Sequence, residues 1–352
     1  MKNFFKNKKV LVTGHTGFKG SWLSLYLNIL GSKVYGISLQ PKHKINNFEL
    51  SKIQKILKKN YIFDLRDKKK FEVAFNKIKP DIIFHLAAQP LVGTSYKDPY
   101  LTWTSNLLST LHLCEIIRNY KKKITCVVIT SDKCYENLEL TRGYKEEDRL
   151  GGKDPYSASK GSVELLCKSY YHSFFQHNSN IKFATARAGN VIGGGDWSKD
   201  RLIPDVINSI QKNKTVEIRS PKSTRPWQHV LEPLNGYLCL ASKLEKDNRL
   251  NGSSFNFGPG KSKNYNVETI IKFIKKIFPN LKYKISKEKI FYESNLLKLN
   301  CTKSKKLLGW SQKMNISETI DFTAEWYENY FNKKDNFNFT VNQIKKYLKI
   351  KN

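Results

Sequence analysis

VLVTGHTGFKG, running from Val10 to Gly20, reads as a short buried strand that breaks into a glycine turn and then enters an apolar helix. Gly14, Gly17 and Gly20 form a GxxGxxG pattern. Glycines at that spacing permit a tight turn and let the backbone approach a pyrophosphate, which a helix N-terminus then stabilises. Such a pattern alone arises by chance. A strand before it and a helix after it, so early in the chain, favour a dinucleotide site over a structural turn.

An apolar helical stretch follows at 22–30. Strand-like segments recur at 33–39, 61–65, 81–85, 124–130 and 181–186, with helical segments near 67–78, 99–119 and 155–177 between them. Strands without clean alternation, separated by helices, indicate a parallel sheet covered on both faces. Right-handed crossovers make that sheet doubly wound. The expected fold class is therefore α/β, with a Rossmann-type domain over 1–190.

Beyond residue 190 the pattern changes. GGGDW, SPKSTRPW and NFGPGKSK are loop-rich, and helical segments appear at 202–212, 232–244, 267–277 and 316–330. A smaller α/β substrate domain over 191–335 is expected, closing over the carboxyl ends of the strands where open sheets bind ligands. A segment near 225–258 is expected to return to the main sheet. Residues 336–352 form a basic, asparagine-rich tail whose order the sequence leaves open.

The formal charge of +32 invites a nucleic-acid reading, because polyanions reward clustered cations. Only nine of the 62 basic residues are arginines, the type preferred for bidentate readout. The lysines lie along the whole chain in short groups such as Lys68–Lys70 and Lys121–Lys123. They read as solvated faces, and no nucleic-acid partner is expected. No apolar run reaches the roughly 18–20 residues of a membrane span, and the basic N-terminus lacks a signal-peptide core. The six cysteines are scattered, with no CxxC pair and no histidine at zinc-finger spacing. Buried thiols, no metal and a cytoplasmic location are expected.

Two further motifs carry chemistry. Tyr156-Ser-Ala-Ser-Lys160 opens a helix, and positions i and i+4 share one face, so the Lys160 ammonium can lie near the Tyr156 phenol. A neighbouring cation and a nicotinamide charge would lower the phenol's pKa from about 10, giving a base for a sugar hydroxyl. YxxxK alone would be an ordinary helix face. With the GxxGxxG turn upstream and Ser131 at a strand end between them, it points to a dehydrogenase-type site. Ser131 is followed by Asp132 and Lys133. Alcohol oxidation needs only a hydroxyl here. A carboxyl and an amine side by side add the second acid/base pair that elimination of water requires.

Cofactor choice is less explicit. An acidic residue about 20 positions past the turn normally holds the ribose 2′-hydroxyl of NAD. Here the strand ends Ser38-Leu39-Gln40-Pro41, followed by Lys42, His43 and Lys44. The residues leave NAD and NADP both open. Asp64 and Leu65, after the next strand, are placed for the adenine end of either.

The GxxGxxG spacing is the form seen in short-chain dehydrogenases. Longer strings extend the likeness: HLAAQPLV (85–92), ITSDKCYEN (129–137), GGKDPYSASKGSVEL (151–165), ARAGNVIGGGDW (186–197), RLIPD (201–205) and RPWQHVLEPLNGYL (225–238). Across most of its length the chain resembles the extended short-chain dehydrogenases that act on nucleotide sugars, and within them the CDP-glucose 4,6-dehydratases. The dTDP-glucose enzymes carry Asp-Glu in place of Asp132-Lys133, and epimerases of the same fold lack the pair.

The resemblance implies NAD as cofactor, with Gly14, Thr16, Gly17, Phe18, Lys19, Gly20, Asp64, Leu65, Leu86, Ala87, Ala88, Tyr156 and Lys160 around it. It implies a CDP-hexose substrate, dehydrated to the 4-keto-6-deoxy sugar by Ser131, Asp132, Lys133, Tyr156 and Lys160. Tyr156 with Lys160 would take the 4-hydroxyl proton, and Ser131 would bind the developing ketone. Lys133 would remove the C5 proton and Asp132 would protonate the departing 6-hydroxyl, although adjacent groups can exchange roles. Gln89, Asn106, Asn190, Trp197, Arg201, Arg219, Arg225 and His229 fall at substrate-side positions. Trp197 and Trp227 could pack on the base or on each other, and His229 reads as structural or as a ribose contact. The resemblance also implies a homodimer, or a dimer of dimers, through helices near 100–118 and 155–177. The rival readings are a 4-epimerase, a dehydratase of another nucleotide sugar, and a fold relative that only binds nucleotides or RNA.

Overall fold

The structure, a computed structural model, describes residues 1–218, 220–259, 265–286 and 296–350. Six parallel strands come from the first half: β1 (Lys9–Thr13), β2 (Lys33–Ser38), β3 (Lys59–Ile62), β4 (Ile82–His85), β5 (Ile124–Ile129) and β6 (Ile181–Ala188). A seventh, Ser254–Phe257, returns from the second half and pairs in parallel with β6, Phe255 opposite Ala186. The spatial order is Ser254–Phe257, β6, β5, β4, β1, β2, β3.

Strand order reverses between β1 and β4, which pair with Val12 opposite Phe84. Chains leaving these two strands diverge to opposite faces and open a crevice at their carboxyl ends. Alternate side chains of each strand enter two separate cores. Leu11, Ile37, Ile83, Cys126 and Val128 pack under helices Lys68–Ile78 and Pro155–Tyr170 and the segment 109–118. Val10, Val12, Val34, Phe84 and Val127 pack against helices Phe18–Ile29 and Leu231–Leu244 and the C-terminal helices. Burial on both faces explains why the strands read as continuous apolar runs.

The helix spanning 99–118 starts at Pro99 with the Asp98 side chain accepting from the Leu101 N–H at 2.8 Å. It carries a π turn at Thr104–Leu108. One extra residue in a turn rotates the following side chains, a device common at functional sites. Here it places Asn106 inward.

Most of the C-terminal tail is helical. Asn336–Lys349 is a helix capped by Asp335, and its Ile344 and Tyr347 are fully buried. Tyr347 donates to the buried Glu232 carboxylate at 3.0 Å, and Trp326 Nε1 donates to Thr340 at 2.8 Å. The apolar residues 337, 341, 344 and 347 recur every three to four positions among lysines and asparagines, so the helix offers a stripe to the core and keeps its charges outside. Among the described residues, no helix is long and apolar enough to cross a membrane. Two fully buried side chains contribute roughly 1.5–3 kcal/mol each, so deleting 336–352 should lower the thermal midpoint by about 5 °C or more. Calorimetry of the truncated chain checks this; an unchanged midpoint would remove the helix from the core.

Candidate active site

At the end of β1 the backbone turns at Gly14 with φ +74°, and the Gly14 N–H donates to the Ile37 carbonyl at 2.8 Å. A Cβ on Gly14 would stand 2.8 Å from the Ala87 nitrogen, in the segment after β4. One on Gly20 would stand 2.1 Å from the Gly14 carbonyl. Gly17 is the N-cap of the 12-residue helix Phe18–Ile29 and offers its first N–H groups no side-chain cap. Bare backbone, a crevice at the switch point and an open helix N-terminus fit the diphosphate of a dinucleotide. Thr16 joins Ser38 at 2.8 Å and donates to the Leu39 carbonyl at 2.9 Å, tying this turn to the end of β2. The Ala87 N–H donates to Thr13 Oγ1, which holds Leu86, Ala87 and Ala88 beside the turn.

Asp64 and Leu65 follow β3. Asp64 is clamped by Arg66, accepting from its Nη2 at 2.6 Å, its Nε at 2.9 Å and its backbone N–H. These bonds to Arg66 hold the Asp64 carboxyl below its usual range, outweighing partial burial. Leu65 is buried.

The end of β5 carries the second group of residues. Ser131 caps a short turn at Asp132–Cys134, accepting from the Lys133 N–H and donating to Asp132 Oδ1 at 2.9 Å. Asp132 is buried, and its other oxygen, Oδ2, has no hydrogen-bond partner among the described residues. Burial raises its pKa, against the lowering pull of Lys133, Ser131, Lys19 and Arg225. Lys133 is half-buried. A Cβ on Gly189 would lie 2.9 Å from Asp132 Oδ2, so that glycine leaves the carboxyl its space.

Tyr156 and Lys160 stand one turn apart at the start of Pro155–Tyr170, which Asp154 caps. Tyr156 is hydrogen-bonded to Ser131, yet burial dominates and pushes its pKa up to about 12. The expected lowering is therefore not a property of the protein groups alone. Burial also lowers Lys160 to about 8, with Glu164 opposing it. Asn106 reaches this group from the π turn: its Nδ2 donates to Ser159 Oγ at 2.8 Å, and its Oδ1 accepts from the Gln89 N–H at 2.7 Å. Gln89 is held in turn by Leu91 and Thr102, so both side chains brace the loop after β4.

Lys19 is the cation that sequence reasoning placed only in the cofactor turn. Its charge is felt with those of Asp132, Lys160, Asp196 and Arg201, and burial lowers its pKa to about 8. Arg201, at the N-cap of Leu202–Gln211, donates to Asp196 at 3.0 Å. Arg225 lies on a two-residue strand paired with Tyr265–Asn266, and its charge reaches Asp132. Lys19, Lys160, Arg201 and Arg225 thus outnumber Asp132 and Asp196 around one crevice. Asn190 lies half-buried in the segment after β6, and Arg219 falls outside the described residues.

Packing narrows two substrate-side expectations. His229 is fully buried between Trp22 and Phe322, with burial lowering its pKa to about 3. It is a neutral core histidine with no surface to offer a ribose. Trp197 packs edge-on against Tyr327 and Tyr330, while Trp227 donates through Nε1 to the Tyr265 carbonyl. Spacing along the chain gave no sign of either arrangement, because the partners are distant in sequence.

The family profile described as GDP-mannose 4,6 dehydratase matches residues 11–323. The chain belongs to the GDP-mannose 4,6 dehydratase family. Within reach of this family is the CDP-glucose 4,6-dehydratase of Salmonella typhimurium, 40% identical over 99% of this chain and 98% of that protein. The fold matches the dTDP-glucose 4,6-dehydratase of Bacillus anthracis solved with NAD, at TM-score 0.75 and 22% identity, covering 93% of this chain and 99% of that one. It also matches a UDP-glucose 4-epimerase of Thermotoga maritima, at TM-score 0.78 and 23% identity over 92% and 99%. A solved dehydratase and a solved epimerase therefore share this fold.

The raised pKa of Asp132 has a consequence for stability. A carboxyl whose folded pKa exceeds its unfolded one favours folding while protonated, and that contribution is lost as pH rises through the folded value. Asp132→Asn should therefore raise the thermal midpoint at pH 8 by roughly 2 °C or more, and far less at pH 4. Equal shifts at both pH values would show that the carboxyl is not destabilised by burial.

Proposed function

We propose that this chain is a CDP-glucose 4,6-dehydratase, converting CDP-glucose to CDP-4-keto-6-deoxyglucose with loss of water and with NAD as cofactor. The observation that carries this reading is the buried Asp132 with an unpartnered oxygen, set beside Lys133, Ser131 and Tyr156 at one strand end. The 40% identity to the Salmonella enzyme over nearly the whole chain supports the cytidine nucleotide. Residues 1–190, with the strand Ser254–Phe257, form the dinucleotide domain, and 191–335 the sugar-nucleotide domain.

The glycine turn, with Leu86, Ala87 and Ala88 beside it, would hold NAD, which would supply a reversible hydride acceptor, taking hydride from the sugar C4 and returning it to C6 after water loss, and a positive ring charge that favours the Tyr156 phenolate. Tyr156 takes the proton of the 4-hydroxyl, with Lys160 stabilising the anion. Ser131 donates to the oxygen at C4 as it becomes a ketone. That ketone acidifies the C5 proton, which Lys133 removes. Asp132 is the group suited to give a proton to the departing 6-hydroxyl, because burial keeps its carboxyl protonated to higher pH. The more exposed Lys133 is left as the base. Lys19, Arg201 and Arg225 offer positive charge to the diphosphate and lower its desolvation cost.

The helices at 99–118 and 155–175 leave Tyr100, Leu165 and Phe174 exposed, and these support assembly as a homodimer or dimer of dimers through that face. The six unpaired cysteines support a reducing, cytoplasmic setting.

Incubation with CDP-glucose should give the 4-keto product, followed by its absorbance in alkali. Turnover of UDP- or GDP-sugars with none of CDP-glucose would overturn the substrate assignment. Tyr156→Phe should lower kcat by about 10²–10⁴. Lys133→Met should abolish water loss with cofactor affinity intact, and normal turnover by that variant would remove Lys133 from the reaction.

A further inference from the structure

One turn beyond Lys160, on the same helix face, lies Glu164, a carboxylate residue only 3% exposed. Tyr156, Lys160 and Glu164 thus form a file at i, i+4 and i+8. The side chains of Glu164 and Arg187 are 2% and 3% exposed, and they pair at 2.8 Å. Glu164 also accepts from Thr185 Oγ1 at 2.7 Å, from Ser254 Oγ at 3.1 Å and, through a short bond, from Thr130 Oγ1. Thr130 is the residue immediately before Ser131. Arg187 Nη1 donates to the Tyr135 hydroxyl at 2.8 Å and to the Glu146 carbonyl at 2.9 Å, and its guanidinium covers the Tyr135 ring at 4.9 Å. One carboxylate therefore joins the catalytic helix to the carboxyl ends of β5 and β6 and to the strand Ser254–Phe257.

A buried ion pair contributes little net stability, since desolvation offsets attraction. Its placement beside Lys160 gives it a second use. We propose that Glu164, held ionised by Arg187, is a positioning residue of the reaction: it keeps Lys160 an ammonium beside Tyr156 and fixes the strand end that carries Ser131. This rests on the dehydratase reading above. The groups whose charge bears on Lys160 come from several elements. Glu164, Cys134 and Cys167 favour its charged form. Lys19 from the glycine turn is a cation within reach of it, and His85 from β4 is held neutral by burial with Lys160 opposing its protonation. Glu164 is the carboxylate of this set, and Arg187, the alkali-stable cation that pairs it, keeps its pKa below the ordinary value.

Lys160 must be protonated to assist Tyr156, so activity falls as pH rises through the Lys160 pKa. Removing the carboxylate moves that fall to lower pH. Glu164→Gln should shift the alkaline limb of kcat with CDP-glucose down by about one pH unit. Glu164→Asp should shift it less. Because a lone Arg187 charge would weaken the fold, the double variant Glu164→Gln/Arg187→Met keeps the buried charge balanced, and it should show the same downward shift. A second readout needs no substrate: NMR titration of the Lys160 ε-carbon in lysine-labelled protein, assigned with Lys160→Met. The titration of Lys160 should move downward in both Gln variants. Folded variants that lose kcat equally at every pH, with an unmoved Lys160 titration, would reduce Glu164 to a structural role. If the parent protein turns over no CDP-hexose, the dehydratase reading fails, while the Lys160 titration still reports on Glu164.

Discussion

The whole arrangement depends on one close approach of two backbones, Gly14 at the end of β1 against Ala87 after β4. A side chain on Gly14 would meet the Ala87 nitrogen at 2.8 Å. The contact exists because β1 and β4 are neighbours while their following chains leave to opposite faces. It brings the helix N-terminus at Gly17, the loop braced by Gln89 and the end of β5 to one rim. Every group assigned to chemistry stands on that rim or on a helix that faces it.

Two electrostatic conditions coexist there. Four cations around the crevice suit a diphosphate, and the same burial that lowers Lys19 and Lys160 to about 8 raises Asp132 and Tyr156. Low dielectric pushes acids and bases toward their neutral forms. Dehydration needs a protonated acid at the departing hydroxyl, and burial favours that form of Asp132 without any special residue. Lys160 is the exception, needing its charge, and Glu164 lies one turn away to oppose the desolvation.

The framework was legible along the chain because its signals are local. Strands buried on both faces leave apolar runs, the glycine turn leaves GxxGxxG, and Tyr156 with Lys160 leaves an i, i+4 pair. The second-half helices at 202–211, 231–244, 267–277 and 316–331 follow the same periodicity within a residue or two of their expected bounds. The helix at 336–349 was harder to see, because its apolar stripe is thin and diluted by lysine and asparagine. Only a core partner such as Glu232 makes it worth forming.

What the sequence by itself determined is the doubly wound sheet, and it brought forward the glycine turn and the local motifs Ser131-Asp132-Lys133 and Tyr156 with Lys160, since each leaves its mark in neighbouring residues. Tertiary structure alone decided which polar groups act in solvent and which in the core. It buried His229 between Trp22 and Phe322, set Lys19 among the charges of Arg201, Asp132 and Lys160, and joined Glu164 to Arg187. Those outcomes depend on dielectric and on partners far apart along the chain. Burial and charge pairing are properties of the packed whole, and no local spacing encodes them.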